Sequence, residues 1–544
     1  MLFQKNDTQV SGTKKNKALL LLSVILIVAV ITAGLLFIRI RFFPGQNDSP
    51  ASGLLLIQQL DRGYIYADGN KPFIINGAIS DTKYTMDGEA LAACHSMTSL
   101  GSTLSYCDGS DLFVVAENVY DFIFSASGNK IMYTKNYRRH DKCFELYVYD
   151  VKTRQSTMII DNAYAEFAIS PDGESIAYAT VDNPSHFSEH QLTGYVRIAD
   201  QTAEPLGQDK VAFAVSDQGE YIYYLEDAYD LDSTVFINEN NTLFVRHEKT
   251  DMEIGRNVSY QRFYLNRDYS EILIRSGKSL YISIKGAEEV KLADGLFIFE
   301  MVVPEDVKVS FSGNTTLVDV QTFRDQLFIL LESVIASDHT LLYVKKDLSG
   351  VQKFCDYDDS YSMSSDGKAL YFIDGKNELA YFTDYRNWLT DSEKILSDEA
   401  VKSFVVMPDQ SAVYFVDYNN DLWVARGTED LQKIDSCVDE RTISLSNDGK
   451  GINYLADIHR NPEITIYEGD FFYVANEDHA KPVMIAEKVC NFTVSDYGTV
   501  YYVCEKIESY QEFGTAYLSR SGNTYTKLLD EVYVWGEPEM VTFD

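Results

Sequence analysis

The sequence predicts an all-β protein: a β-propeller of about 8–10 four-stranded units, in one large ring or two packed smaller rings, preceded by a single transmembrane helix. Three observations carry this. A phrase of two short apolar runs around a polar turn recurs along the chain every 40–50 residues or so. A second hairpin pattern follows each copy. One uninterrupted apolar segment stands near the start.

That segment comes first. Ala18–Ile38 (ALLLLSVILIVAVITAGLLFI) carries no charge and, as a helix, would span about 32 Å, enough for a bilayer core. Lys14, Lys15 and Lys17 precede it, and Arg39 and Arg41 follow. The basic excess on the N-terminal side predicts a cytoplasmic tail (1–17), a membrane helix (18–38) and a tether (39–53). The rest of the chain, 54–544, is then extracytoplasmic. A cleaved signal peptide would have a shorter apolar core ending in small residues, whereas Thr32-Ala33-Gly34 lies inside this run. The expected location is a cell membrane, with a single pass.

The repeating phrase is clearest in FAISPDGESIAYA (Phe167–Ala179). Aligned on Gly173, the same slot holds Gly88, Gly128, Gly219, Gly367, Gly449 and Gly498; weaker copies place Tyr269 and Gln410 there. Apolar residues stand six and four before the slot, as in Phe122 and Phe124, and three and five after it, as in Ile131 and Tyr133. Spacing by two gives one apolar face per strand; a helix needs spacings of three and four. In Ser170-Pro171-Asp172-Gly173, Pro sets the first corner and Gly accepts the positive φ that closes the hairpin. Tyr269 and Gln410 lack that freedom, so their turns are expected to be distorted or longer. After each phrase comes a second strand pair, such as ELYVYDVKTRQSTMII or DLWVARGTEDLQKI. Four short strands per unit cannot bury both faces alone, so the units must stack on one another.

Two stretches are irregular. GYIYADGNKPFII (63–75) precedes the first phrase and EVYVWGEPEMVTFD closes the sequence; one is expected to complete the blade begun by the other. Around 295–340, where one copy is worn, TFRDQLFILLESVIASDH fits an amphipathic helix, yet the period calls for strands, and strands are the preferred reading. A sub-boundary between two rings would fall there.

FAISPDGESIAYA, SMSSDGKALYFID and TISLSNDGKGINYLAD resemble the TolB-type, WD-like propeller repeats, also found in the propeller domains of dipeptidyl-peptidase relatives. The resemblance covers roughly residues 80–530 and implies a propeller fold. It implies little about activity, because propellers host many functions.

The net charge of −35 argues against nucleic acid as a partner by simple repulsion. Seven cysteines are too few and odd in number for a disulfide framework. Cys490 and Cys504 flank one strand-turn-strand phrase, and Cys94 and Cys107 flank another; either pair could face across it, or remain small buried thiols.

No G-x-S-x-G occurs, so the hydrolase of the peptidase relatives has no counterpart. His186, Glu189 and His190 in HFSEH match an inverted zinc-protease motif, but that chemistry needs one helical face, and here strands surround it. Asp417, Asn419 and Asp421 alternate as calcium ligands do. Leu422 stands where such a loop has Gly, and Thr428 where it has Glu. Both groups read primarily as polar loops; no catalytic residue and no cofactor is expected, calcium being the one cation considered. The expected function is a non-enzymatic binding or scaffold module for an extracytoplasmic protein, peptide or glycan. The alternatives are a propeller-type hydrolase or lyase with its site in the central channel, or a sensory input domain.

Overall fold

The computed structural model describes residues 54–534 except 59–61, 68–71, 86–88, 183–190, 227–240, 259–262, 277–278, 295–298, 303–308, 313–314, 324–329, 336–337, 345–350, 365–367, 375, 384–393, 398–399, 428–430, 447, 461–466, 496–497, 509–510 and 522–523. The apolar segment Ala18–Ile38 lies outside these. Among the described residues no helix is long and apolar enough to cross a membrane.

The chain opens with a three-stranded antiparallel sheet, β1 (Leu55–Gln58), β2 (Arg62–Tyr66) and β3 (Phe73–Asn76). Ten four-stranded meanders follow. Blade 1 is β4 (Ile79–Tyr84), β5 (Leu91–Thr98), β6 (Gly101–Cys107) and the first half of β7 (Leu112–Phe124). The second half of β7 is the inner strand of blade 2, which continues through β8 (Lys130–Arg138), β9 (Cys143–Asp150) and the start of β10 (Gln155–Ile169). Blade 3 takes the end of β10 with β11 (Ser175–Asp182), β12 (Gln191–Ile198) and β13 (Glu204–Gln208). Blade 4 is β14 (Lys210–Val215), β15 (Tyr221–Glu226), β16 (Asn241–His247) and β17 (Thr250–Val258). Blade 5 is β18 (Phe263–Leu265), β19 (Glu271–Ser276), β20 (Ser279–Ile284) and β21 (Val290–Ala293).

Blade 6 begins with β22 (Phe299–Val302), is interrupted by the hairpin β23 (Val309–Ser312) and β24 (Thr315–Val318), and resumes with β25 (Leu330–Ile335), β26 (Asp338–Val344) and the start of β27 (Val351–Met363). Blade 7 is the end of β27 with β28 (Leu370–Asp374), β29 (Leu379–Phe382) and β30 (Lys394–Ser397). Blade 8 is β31 (Val401–Val406), β32 (Val413–Asp417), β33 (Leu422–Ala425) and β34 (Leu431–Asp435). Blade 9 is β35 (Ser444–Leu445), β36 (Gly451–Arg460), β37 (Tyr467–Ala475) and the start of β38 (Val483–Ser495). Blade 10 is the end of β38 with β39 (Gly498–Glu508), β40 (Gln511–Ser521) and β41 (Thr524–Val534).

Within the worn stretch, the described residues Leu330–Ile335 are strand, as the period requires: β25 pairs antiparallel with both β22 and β26. The inserted hairpin turns back to blade 5, where β24 pairs parallel with the inner strand β18. It is held there by Arg267 N–H to the Val320 carbonyl (2.9 Å), by Asn266 Nδ2 to the Gln321 carbonyl (2.7 Å), and by Phe323 N–H to the buried Glu271 Oε2 (2.6 Å).

The core is a series of layers between successive blades. Phe122, Ile131 and Tyr133 of blade 2 meet Ala92, Leu104 and Tyr106 of blade 1. Ile176 and Tyr178 meet Ile123 and Met132; Ile222 and Tyr224 meet Ala177 and Val196. These are the positions three and five after the slot, so the repeating phrase is the inter-blade core itself.

The ends of the chain meet differently from expectation. Residues 63–75 do not add a strand to the last blade, because β38–β41 already fill its four places. The N-terminal sheet packs instead by its faces: Tyr64 and Tyr66 on Val500, Ala516 and Leu518 of blade 10, and Ile65 and Ile75 on Leu91, Ala93 and Cys107 of blade 1.

The turns at Tyr269 and Gln410 are not distorted either. Tyr269 (φ 64°) and Gln410 (φ 59°) adopt the left-handed conformation of Gly128 (φ 72°) and Gly173 (φ 79°). They close the same turn, N–H to the carbonyl three residues back, at 3.0 and 2.8 Å. Hydrogen bonding and packing hold a conformation that costs a side chain about 1–2 kcal/mol.

Candidate functional site

The turns of the repeating phrase share one face. Ser127 N–H reaches the Pro171 carbonyl (2.9 Å), and Asp172 N–H reaches Asp217 Oδ1 (2.9 Å), linking blades 2, 3 and 4 turn to turn. A buried side-chain oxygen three before the slot caps seven of these turns by accepting the N–H five residues on, Met407 standing there in the Gln410 turn. Thr85 to Ala90 (3.0 Å), Ser125 to Lys130 (3.2 Å), Ser170 to Ser175 (2.9 Å), Ser216 to Tyr221 (2.7 Å), Asn266 to Glu271 (2.9 Å), Ser364 to Ala369 (2.8 Å) and Ser446 to Gly451 (3.0 Å) repeat it. The aspartates of these turns are consumed locally: Asp172 and Asp448 each accept from the capping serine and from the backbone. This face is built for closure of the turns.

Strand alternation puts the second turn of every blade on the opposite face, and there the blades differ. The hairpins of blades 7 and 8 are short, with strands of 5 and 4 residues. In blade 9 they have 10 and 9 residues, in blade 10 11 and 11, in blade 1 8 and 7, and in blade 2 9 and 8. Five extra residues lift a tip by about 17 Å. Blade 3, with 8 and 8, is as long but pairs without a slip; the hairpins of blades 9, 10, 1 and 2 share one device. Their registers slip between His95 and Thr98, Lys135 and Arg138, Ala456 and His459, and Cys504 and Lys506. At three of these slips the bulged residue is left-handed: Ser96 (φ 55°), Asn136 (φ 54°) and Asp457 (φ 53°). Each stands five residues after the first core residue of its strand, Leu91, Ile131 or Ile452. Such a bulge twists the hairpin and re-aims its tip.

Because the N-terminal sheet joins blade 10 to blade 1, these hairpins form one crest. Contacts are continuous along part of it. Ser96 Oγ donates to the Asn76 carbonyl of β3 (2.9 Å), tying blade 1 to the N-terminal sheet. Gly101 (φ 122°) lies so close to blade 2 that a Cβ there would meet the Asn118 carbonyl carbon at 2.6 Å, so only glycine fits. His95, 8% exposed, is fixed beneath by Ser105 Oγ (2.8 Å) and the Asn76 carbonyl (3.0 Å), and burial lowers its pKa.

The crest carries exposed apolar side chains. Met97 (76% exposed), Leu100 (65%) and Tyr120 (43%) lie on blades 1 and 2. Tyr120 sits 5.4 Å, ring to ring, from both Tyr137 and Phe144, which stack at 4.7 Å. Tyr467 and Tyr418 are exposed on the same face in blades 9 and 8. Beside the aromatic trio runs Arg138-Arg139-His140-Asp141-Lys142. Arg138 is pinned by Cys143 Sγ (2.9 Å) and the Asp161 carbonyl, and Asp141 lies near both Arg138 (3.5 Å) and His140 (3.2 Å). Arg139 is exposed and makes no ion pair among the described residues. An aromatic cluster next to a guanidinium is the composition of a binding hot spot.

The residues singled out in the sequence lie elsewhere or play other parts. His186, Glu189 and His190 fall outside the described residues. Asp417 is buried and accepts N–H bonds from Asn419 (2.8 Å), Asp421 (2.9 Å) and the Trp423 indole (3.1 Å). Burial alone would raise its pKa, but these donors outweigh it and hold the carboxyl below its ordinary value. Asp421 faces Lys433. The three residues thus cap the β32–β33 hairpin around Asn420 (φ 62°). No group of three or more potential metal-ligating His, Cys, Asp or Glu is found among the described residues.

Cys490 is disulfide-bonded, and the register places Val503 opposite Val489, which brings Cys504 close by. Cys94 and Cys107 are free and buried. Cys94 pairs with Leu104 and Cys107 with Leu91, three residues apart along the hairpin, or about 10 Å, beyond disulfide reach.

No family model matches the sequence, and no curated protein does. Among solved structures the chain is similar to TolB from Acinetobacter baumannii (14% identity, 45% of this chain and 65% of that one, TM-score 0.26). It is similar too to the β-propeller domain of the trilobed protease from Pyrococcus furiosus (12%, 65% and 96%, TM-score 0.29) and to a eukaryotic initiation factor (9%, 89% and 98%, TM-score 0.39). The chain spans 65% of the length of that TolB structure.

Proposed function

We propose that the chain is a membrane-anchored, extracytoplasmic binding module without catalytic activity, and that the crest of blades 9, 10, 1 and 2 engages a protein or peptide. The observation that carries this is a pair of apolar groups on neighbouring blades, exposed Met97 and Leu100 on the bulged hairpin of blade 1 and the cluster Tyr120, Tyr137 and Phe144 on blade 2, with exposed Arg139 on the blade 2 hairpin. Exposed large apolar side chains grouped beside a cation mark interaction sites. The opposite face spends its polar groups on its own turns. Ala18–Ile38 supplies the proposed anchor, and the tether that follows leaves the propeller free to meet partners outside the membrane.

The test is affinity capture with tagged full-length chain from detergent-solubilised native membranes, comparing wild type with Leu100→Ala/Arg139→Glu and with a control, Asp409→Asn, on the opposite face. Partners lost from the first variant and kept by the control are expected. Equal capture by all three, or turnover of a peptide or glycan substrate by the purified chain, would overturn the reading.

A further inference from the structure

One segment of the same chain is suited to cover the crest. β41 runs toward the crest face: its last residue, Val534, pairs with Glu512, beside the β39–β40 connection where Glu508 meets Gln511. The ten residues that follow, Trp535–Asp544 (WGEPEMVTFD), lie outside the described residues. Their composition complements the crest. They carry Glu537, Glu539 and Asp544 and no Lys or Arg, with Trp535, Met540, Val541 and Phe543 as apolar anchors. Reach is sufficient. Ten extended residues span about 33–36 Å, and packed sheets lie about 10 Å apart. From blade 10 past the N-terminal sheet to blade 1 is two such steps, and blade 2 is the third.

We propose that Trp535–Asp544 runs along the crest and docks its far end, Met540, Val541 and Phe543, on the apolar side chains Met97, Leu100, Tyr120, Tyr137 and Phe144, with the Asp544 carboxylate toward Arg139, and so competes with external partners for the crest. This rests on the reading of the crest as the binding face. Charge favours it. In a chain of net charge −35, a segment rich in carboxylates is repelled by most of the surface and finds an exposed guanidinium on the blade 2 hairpin. Tethering favours it too, because a segment held within reach is present at an effective concentration near millimolar for a short linker.

The experiment uses the full-length chain in detergent, a version ending at Val534, and a fluorescein-labelled peptide of sequence WGEPEMVTFD. The shortened chain should bind the peptide saturably, more weakly as salt rises. The complete chain should bind it at least tenfold more weakly, its site being filled. Leu100→Ala/Arg139→Glu in the shortened chain should abolish binding, with an unchanged melting temperature showing that it is folded. No saturable binding to the shortened chain, or equal binding by both lengths, overturns the inference. A complete chain that dimerises as concentration rises, while the shortened chain does not, overturns docking within one chain in favour of a second copy. If the peptide fails to bind yet the double variant still loses its captured partners, the crest reading stands and only this inference falls. Partners retained by the double variant would remove the crest reading itself.

Discussion

Tyr66 donates its phenolic hydroxyl to the backbone carbonyl of Leu528, 3.2 Å away and 462 positions later in the chain. The bond joins the N-terminal sheet to the outer strand of blade 10, and Tyr66 is only 3% exposed. Tyr66→Phe removes one hydrogen bond and leaves a carbonyl short of a partner, at a cost of about 1–2 kcal/mol. Tyr66→Ala also empties a buried aromatic site, with a cost of about 3–5 kcal/mol by analogy with other large-to-small core changes. Denaturant melts of the two variants should fall in that order. Equal melts for wild type and Tyr66→Ala would show that the sheet does not contribute to closure.

The two non-glycine slots separate strain from packing. Gln410 is exposed, so Gln410→Gly relieves the left-handed conformation and gives back part of the gain as unfolded-state entropy; the net expectation is stabilisation by about 0.5–1 kcal/mol. Tyr269 has the same φ, but its ring is buried among Phe213, Tyr223 and Phe263. Tyr269→Gly should therefore destabilise by about 2–4 kcal/mol, the lost burial exceeding the strain removed. Thermal melts with opposite signs would confirm the contrast.

The seven side-chain caps are individually testable. Ser170 is fully buried and its hydroxyl accepts the Ser175 N–H, so Ser170→Ala strands a donor and costs about 1–2 kcal/mol. Ser446→Ala does the same in blade 9. The two turns share no partner, so the double variant should lose the sum of the two single losses.

Glu289 sets a pH dependence. Burial, with Glu253 and Glu288 nearby, pushes its pKa up to about 7 from an ordinary value of 4.5, and its Oε2 has no hydrogen-bond partner. The folded state therefore binds the proton more tightly than the unfolded one. Stability from this group is intact below pH 4.5, declines as pH rises through 7, and stays low above it. Glu289→Gln should raise the melting temperature at pH 8 and leave it unchanged at pH 4.5. A uniform shift at both values would show that the effect is one of packing.

The repeat was legible because its apolar residues do the same work in every blade: Ile131, Ile176 and Ile222 all enter inter-blade layers. The capping oxygen was equally periodic, from Thr85 to Ser446, and could have been read from the sequence beside the glycine slot. The turn at Tyr269 could not, since its ring is held by Phe213 and Tyr223 of the neighbouring blade, nor could that at Gln410, whose exposed side chain leaves the turn to its own bond from Gln410 N–H to the Met407 carbonyl. The crest was hidden for a related reason. Ser96, Asn136 and Asp457 differ in chemistry, and only the register slip shows that they are one device. The packing of residues 63–75 depended on whether blade 10 had a vacant edge, which no local pattern states.

Long strands shared between blades divide the molecule mechanically. β7 and β10 each end one blade and begin the next, so blades 1 to 3 form a single ten-stranded ribbon with no joint inside it. Between β34 and β35, by contrast, residues 436–443 connect separate sheets, with Cys437 exposed, and are stitched to them by a few bonds, Val438 N–H to the Asn420 carbonyl (2.9 Å) and Asp439 N–H to the Leu455 carbonyl (3.0 Å). A foreign domain spliced in there would hang from a seam, whereas the same splice within β7 would tear a ladder that two blades hold in common.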